Sequence, residues 1–438
     1  MTSGRERITA GLVPCAIAAL TLSHPGLVSR SSTFLAVSLA AAVGVVIAGR
    51  LVATTKVDVG KPVLVAVLSL ALASLVAFVR TPTTAGLVVW VAPLLYMLGG
   101  SLMAARERLV TIFSAAIVTA AAVAGAYGLL QFAGLDALPS ATRFQDRVVS
   151  TFENPNYFAS FMACAFPIGL ASFVSEWRTK QQLWLGAAVC VIYTGLLIAG
   201  SRGAWWGAAA GVAIVVLAYV RQCQRGLLIP RIMSLVALGI LLLCITLALR
   251  HQPLMAGPDG PIALAGRLAA VGNIVGEGLK ADPTMSHRYL IWKVTLRLIA
   301  DRPIIGHGLG RFQEQFVEER TSLQFAGLFP RAGWSADYDP VYVHNEYLHI
   351  WVERGFVAVA ALLGLLGAVL IPAGSALWST QHKAMAIAGF WAFAAVVLVH
   401  SLVSYPLQLP LSGMLFWLVI GILGNRHFLR HSGTSEGK

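Results

Sequence analysis

Residues 343–355 read VHNEYLHIWVERG, a polar stretch that runs without a break into an apolar one at Phe356. Within it, His344, Leu348 and Trp351 recur at the spacing of one face of an α-helix. Gly355 stands where the residue after a helix C-terminus is expected. The pattern therefore predicts a short helix that begins near His344 and ends at the edge of a membrane-spanning segment.

The composition is that of a membrane protein. Of the 438 residues, 57% are hydrophobic and 12% are charged, and the mean hydropathy is +0.76. This balance lies far outside that of soluble globular domains. We predict an all-α polytopic fold with twelve membrane-spanning helices, because that number of stretches is long and apolar enough to cross a bilayer. They lie at about 8–24, 33–49, 62–79, 84–104, 109–134, 156–175, 183–199, 204–220, 230–249, 356–377, 384–403 and 405–424.

The net charge of +13 is distributed unevenly along the chain. Most of the excess of Lys and Arg falls in the loops on one side of the predicted membrane, whereas residues 250–355 contain as many acidic as basic residues. This is the positive-inside pattern, and it excludes a nucleic-acid-binding surface as the source of the charge. We predict cytoplasmic termini, nine spans in residues 1–249, a periplasmic loop domain at 250–355, and three spans with a short cytoplasmic tail in 356–438.

The loop domain is the part of the chain that resembles a soluble domain. Its start, residues 252–260, is rich in Pro and Gly and is predicted to be irregular. Ser286 is a candidate N-cap for an amphipathic helix that ends near Asp301. We expect the apolar stripe of this helix to lie on the membrane or against the bundle. A second polar helix is predicted at 311–322.

No pattern in the sequence calls for a metal ion, a nucleotide or a disulfide. The glycines at 306, 308 and 310 are not set in a βαβ unit, so they are not a dinucleotide fingerprint. Asp337 and Asp339 stand beside Pro340, which is typical of a turn. Four of the five cysteines lie inside predicted spans. We expect no cofactor and no metal site.

His344 is the candidate general base, because an imidazole with a pKa of about 6.5 accepts a hydroxyl proton near neutral pH. The alternative is an interfacial histidine that bonds a backbone carbonyl. His349 falls on a different helix face, and we predict a structural role for it. Asn345 is either a helix cap or a substrate ligand, and Glu353 either pairs with Arg354 or a neighbour or contacts substrate.

Two arginines are candidate phosphate ligands. Arg202 lies in the short hairpin AGSRG, residues 199–203, between two predicted spans, where a charge is costly unless it reaches the interface or binds an anion. Arg288 lies in SHRYLIW, residues 286–292, at the start of the predicted amphipathic helix. The planar guanidinium fork suits a diphosphate better than an ammonium group does. The alternative for both residues is contact with lipid headgroups.

The motif FENPN, residues 152–156, precedes the sixth predicted span. Asn154 before Pro155 is typical of a helix N-terminus. Contact of Asn154 or Asn156 with a sugar or phosphate is the alternative.

Four motifs in this order resemble the O-antigen ligase family: Asn-Pro-Asn, Ser-Arg-Gly, the Arg288 helix and His344-Asn-x-x-Leu with its following Glu-x-Gly. The resemblance covers about residues 150–425. It implies a GT-C-like glycosyltransferase of the bacterial inner membrane with its site facing the periplasm. Such an enzyme transfers a glycan from undecaprenyl pyrophosphate to the lipid A–core of lipopolysaccharide, without a metal. It implies His344 as base, with inversion at the sugar, and Arg202 and Arg288 as pyrophosphate ligands.

Other activities share this motif set. A glycan polymerase or a protein O-oligosaccharyltransferase would use the same donor and the same base on a different acceptor. A lipid or solute transporter is disfavoured, since transporters place ionisable groups near the membrane midplane, whereas the polar motifs here gather at one face.

Overall fold

The computed structural model describes residues 60–80, 84–136, 147–152, 154–176, 178–223, 229–257, 260–277, 283–328, 339–379 and 383–430. The predicted spans at 8–24 and 33–49 lie outside the described residues. The other ten predicted spans each overlap a helix.

The described chain is mainly helical. The helices before the loop domain are α1 (Lys61–Arg80), α2 (Thr84–Ala104), α3 (Glu107–Phe132), α4 (Pro155–Ser175), α5 (Thr179–Ile198), α6 (Arg202–Cys223) and α7 (Ile229–Leu249). The loop domain contains β1 (Pro253–Gly257), β2 (Gly260–Ala263), α8 (Leu264–Glu277), α9 (Pro283–Asp301) and α10 (Phe312–Phe325). The remaining helices are α11 (Glu346–Ser379), α12 (Ala384–His400), α13 (Pro410–Gly424) and α14 (Arg426–Leu429).

Several described helices are suited to a bilayer. α3, α4, α5, α6 and α11 are long and apolar enough to cross one, and α1, α2, α7, α12 and α13 contain shorter apolar stretches. α12 ends at His400 and α13 begins at Pro410, so the two last spans are shorter than predicted. The multi-pass membrane class is confirmed, and the total of twelve spans stays a prediction.

Helix α12 lies at the centre of the bundle and packs against α6 and α4. α6 presents Gly203, Gly207 and Gly211 to it, one per helical turn, which lets the two backbones approach closely. A Cβ on Gly207 would lie 2.8 Å from the carbonyl oxygen of Val396 on α12. The glycine row therefore fixes how deeply α12 sits against the hairpin that carries Arg202.

The start of the loop domain is regular, so the prediction of an irregular segment at 252–260 was wrong. β1 and β2 pair antiparallel, with Met255 opposite Ile262. The sequence lacks strand alternation here, and the pairing arises because the chain reverses at Gly257–Gly260. The described part of the chain is therefore all-α apart from this small hairpin. α8, which follows it, was not predicted.

Helix α9 begins at Pro283, three residues before the predicted cap at Ser286, and ends at Asp301 as predicted. Its apolar stripe is predicted to lie on the membrane or against the bundle, and it is buried against other parts of the protein. It packs in a small core within the loop domain, where the stripe, α10 and the start of α11 meet. This core contains Ile291, Val294, Leu298, Ile299, Phe312, Phe316, Leu323, Val343 and Val352.

Helix α11 is interrupted at Gly355, whose φ of 79° and ψ of 175° are not helical. The break lies where the sequence predicted a helix end. Ile304 packs so closely that a side chain at Gly355 would clash with its carbonyl oxygen. The backbone of residues 303–308 also bonds the end of the first segment, with His307 N donating to Val352 O at 2.8 Å. Residues 303–308 of the loop domain are thus held against α11 at the break around Gly355.

We predict that Gly207→Leu lowers the free energy of unfolding by about 1–3 kcal/mol, because the new side chain must displace α12. Gly239→Leu on α7 is the matched control, since a Cβ there meets nothing within 4 Å. Thermal unfolding of both variants in detergent measures the difference. Equal melting temperatures would contradict close α6–α12 packing.

Candidate functional site

Four arginines from separate parts of the chain converge at one end of the bundle. We call Arg147, Arg202, Arg267 and Arg288 the arginine cluster. Burial and the nearby charges of Arg267, Arg288 and Arg202 lower the pKa of Arg147 to about 9. Because the charges of the other three arginines act on Arg147, their guanidinium groups lie within electrostatic range of it. The sequence singled out Arg202 and Arg288 but missed the other two.

Two members of the cluster hold the turn between α5 and α6. Arg147 donates from Nη2 and Nε to the carbonyl oxygen of Ala199, at 2.5 and 3.1 Å. Arg267 on α8 donates from Nη2 to the carbonyl oxygen of Gly200 at 2.7 Å. Gly200 has a φ of 64°, a conformation that favours glycine. Arg202 follows as the first residue of α6 and is only 9% exposed. Its position is therefore set by two other arginines.

Both asparagines of the FENPN motif contribute to this arrangement. Asn154 is the N-cap of α4, because its side chain accepts a bond from Asn156 N at 2.8 Å, with Pro155 in the first turn. The side chain of Asn156 accepts from Arg147 Nη2 at 3.2 Å. Asn154 thus orders the helix start, and Asn156 helps to orient an arginine of the cluster.

Arg288 lies in the second turn of α9 and is half-buried. Its Nη1 is 3.7 Å from Met285 Sδ. The charge of Arg288 acts on Arg147, on His344 and on Tyr405. α9 therefore places this arginine within electrostatic range of both Arg147 and the candidate base.

His344 lies two residues before α11, near the start of a helix as predicted, and is not itself helical. Its φ of 57° is in the left-handed region, which costs a non-glycine residue about 1–3 kcal/mol and is typical of functional sites. Its ring lies edge-on to the ring of Tyr405, with centroids 4.9 Å apart. Burial, and then the charges of Arg288, His287 and His349, lower the pKa of His344 to about 3. The imidazole is therefore neutral at physiological pH.

Hydrogen bonds to residues 401–402, in the chain between α12 and α13, hold the His344 segment in place. Glu346 N donates to Ser401 O at 2.9 Å, and Asn345 Nδ2 donates to Leu402 O at 3.0 Å. The Asn345 side-chain oxygen also accepts from Leu348 N at 3.0 Å, so this residue caps α11. These bonds compensate for the strained backbone of His344.

Glu346 is a residue that the sequence analysis missed. It is fully buried and accepts bonds from Gln408 Nε2 at 2.5 Å and from Leu407 N at 3.3 Å. It therefore ties the start of α11 to residues 407–408. Glu346 belongs to the same sequence motif as His344, and this is the signal from which it could have been identified.

Tyr405 links the two halves of the site. Its ring stacks on Tyr342 with centroids 4.5 Å apart, and its hydroxyl lies 3.3 Å from that of Tyr157 on α4. Burial raises the pKa of Tyr405, so its hydroxyl keeps its proton. The base is thus seated on an aromatic group that also contacts the helix capped by Asn154.

His349 and Glu353 lie behind the site and form a buried pair, with His349 Nε2 3.7 Å from Glu353 Oε2. The ring of His349 packs edge-on against Phe312 and Tyr342. This position agrees with a structural role for His349. Glu353 is paired with this neighbour rather than placed beside the arginine cluster.

Two cavities flank the site. One of about 260 Å³ is lined by Arg147, Gln131, Gly134 and residues of β1. A smaller one of about 110 Å³ is lined by Glu346, Arg354 and Gln408. Among the described residues no group of His, Cys, Asp or Glu could hold a metal ion.

Two comparisons bear on this site. A protein of Haemophilus influenzae described as uncharacterized is 26% identical over 210 residues, 48% of this chain and 47% of that protein. The chain thus spans about half the length of the curated relative it matches. The family model described as O-antigen ligase matches residues 186–363, which include Arg202, Arg267, Arg288 and His344. Residues 186–363 of this chain are therefore similar to the O-antigen ligase family.

Proposed function

We propose that this protein is an O-antigen ligase of the bacterial inner membrane. It would transfer a glycan from undecaprenyl pyrophosphate to the lipid A–core oligosaccharide on the periplasmic side. The observation that carries this proposal is a cluster of four arginines beside a histidine that is neutral and conformationally strained. The family match includes three of these arginines and the histidine.

The arginine cluster is the part of the site that we assign to the glycan donor. A glycan on a lipid diphosphate is already activated, because the diphosphate is a good leaving group. Negative charge grows on the departing diphosphate as the glycosidic bond breaks, and guanidinium groups fixed in advance stabilise that charge. Arg202 and Arg288 are the two we assign to the diphosphate. The charges of both act on Arg147, and a bound anion would offset that repulsion.

His344 is the residue that we assign to activation of the glycan acceptor. Its neutral imidazole takes the proton of the acceptor hydroxyl while that oxygen attacks the anomeric carbon of the donor sugar. The bond from that carbon to the diphosphate oxygen breaks, and the electron pair leaves with the diphosphate. A single direct displacement inverts the configuration. The proton on His344 then passes to solvent.

The reaction requires few further catalytic groups, because both substrates are lipids confined to one leaflet and are therefore already close to each other. Asn345 and Glu353, which the sequence left open as substrate ligands, are engaged in capping and in a buried pair. Asn156 acts through Arg147. We assign them positioning roles.

Replacement of His344 by Gln should reduce glycan transfer by about 10²–10⁴-fold, the usual cost of losing a general base. His349→Gln is the matched control, because it makes the same chemical change five residues away in a side chain buried behind the site. It should reduce thermal stability and leave most of the turnover per folded molecule. Transfer is measured with purified protein and lipid-linked donor. Normal transfer by folded His344→Gln would exclude the histidine as base.

The pH dependence should report the environment of His344. Because its pKa is lowered to about 3 in the free protein, kcat/KM should show no loss as pH falls from about 8 to 5. Bound diphosphate offsets the charge of Arg288 and raises the pKa of His344, so the acid limb of kcat should lie at higher pH than that of kcat/KM. An acid limb of kcat/KM near pH 6.5 would instead indicate an exposed histidine.

The acceptor is tested in a deletion strain of the source bacterium. Loss of a ligase should leave bare lipid A–core, with long glycan accumulating on undecaprenyl pyrophosphate. Core capped by a single repeat would identify a polymerase. Unchanged lipopolysaccharide together with an unglycosylated protein would identify a protein O-oligosaccharyltransferase. The last two outcomes would each overturn the proposed acceptor.

A further inference from the structure

His400, the last residue of α12, lies against the hairpin that carries Arg202. Only 2% of its surface is exposed. The Cδ2–Nε2 edge of its ring faces Gly203, where a Cβ would lie 3.0 Å from Cδ2 and 3.4 Å from Nε2. A larger residue at position 203 would press on the imidazole. The glycine beside Arg202 therefore leaves room for a histidine from another helix.

The same residue is close to the other parts of the site. The charge of Arg288 acts on the His400 ring. The next residue, Ser401, accepts a hydrogen bond through its carbonyl oxygen from Glu346 N, two positions after His344. The end of α12 thus lies where the Arg202 hairpin, the Arg288 helix and the base segment meet.

Polar atoms at this point lack protein partners. Nδ1 of His400 and Oγ of Ser401 are both buried, and neither has a hydrogen-bond partner among the described residues. Buried polar atoms are rarely left in this state, because each unmade bond costs about 1–3 kcal/mol. Two adjacent side chains in the site therefore have hydrogen-bonding capacity that a bound ligand can use.

We infer that His400 is a further binding residue for the donor diphosphate, donating a ring N–H to one of its phosphate oxygens. The inference rests on the proposed function and extends it to a residue outside the four sequence motifs. A neutral imidazole has one N–H donor, and an anionic oxygen is its strongest acceptor. His400 adds a directed bond to the charge supplied by the arginines. No proton transfer is required of it, since the diphosphate leaves as an anion.

The test measures binding separately from turnover. Purified protein in nanodiscs is titrated with geranylgeranyl diphosphate, a polyprenyl diphosphate without sugar. His400→Leu removes the donor at similar volume and should weaken binding about 10- to 100-fold, the range for a hydrogen bond to a charged group. His400→Gln keeps an N–H donor and should retain most of the affinity.

Three further variants show whether a change in binding is specific to His400. Arg202→Lys and Arg288→Lys should also weaken binding, because the bidentate geometry is lost. Arg297→Lys is the control, since this residue is exposed on the same helix as Arg288. If only His400→Leu binds as tightly as wild type, the inference is wrong and the proposed function stands. If neither arginine variant nor the leucine variant weakens binding, both are wrong.

A second measurement uses the wild-type protein, in case His400→Leu does not fold. Nitrogen-15 spectra of histidine-labelled protein, assigned with His400→Gln, report the ring nitrogens of His400 directly. Addition of the diphosphate should shift the signal of its N–H. An unchanged His400 signal at saturating diphosphate would overturn the inference.

Discussion

Repulsion among buried arginines is the constraint on which the candidate site depends. Charges that are brought together away from water raise the free energy of the folded state unless something offsets them. The described partners of Arg147 are neutral, the carbonyl of Ala199 and the side chain of Asn156. Neutral acceptors orient a guanidinium without cancelling its charge. The positive charge of Arg147 therefore remains available to an anion.

The backbone is also strained at a residue to which we assign a function. His344 is held at a positive φ by bonds on either side of it, from Asn345 and Glu346 to the chain after α12. That chain also carries Tyr405, on which the imidazole rests. The strained base is thus fixed by the connections between α11 and the chain after α12, and the end of α12 packs against Gly203, beside Arg202. The glycine row on α6 lets these helices meet closely enough for this to occur.

The sequence predicted the membrane class and the positions of most described helices, because long apolar stretches leave few alternatives. It also located Arg202, Arg288 and His344, since each lies in a local motif. Arg147, Arg267 and His400 stand in stretches without such a pattern. The fold alone brings them together: Arg147 and Arg267 bond residues more than fifty positions away, and His400 packs against Gly203. The hairpin at Pro253–Ala263 was missed for a similar reason, because its pairing does not follow from alternation of polar and apolar residues.

The central claim is that the arginine cluster and His344 form one diphosphate-dependent site. The most direct test is an electron cryomicroscopy structure of the protein in nanodiscs with a sugar-free polyprenyl diphosphate. The account predicts density for the diphosphate within hydrogen-bonding distance of Arg202 and Arg288, with the ring of His344 facing the oxygen to which the sugar would be attached. Diphosphate density elsewhere in the protein, with Arg202 and Arg288 pointing into lipid headgroups, would contradict it.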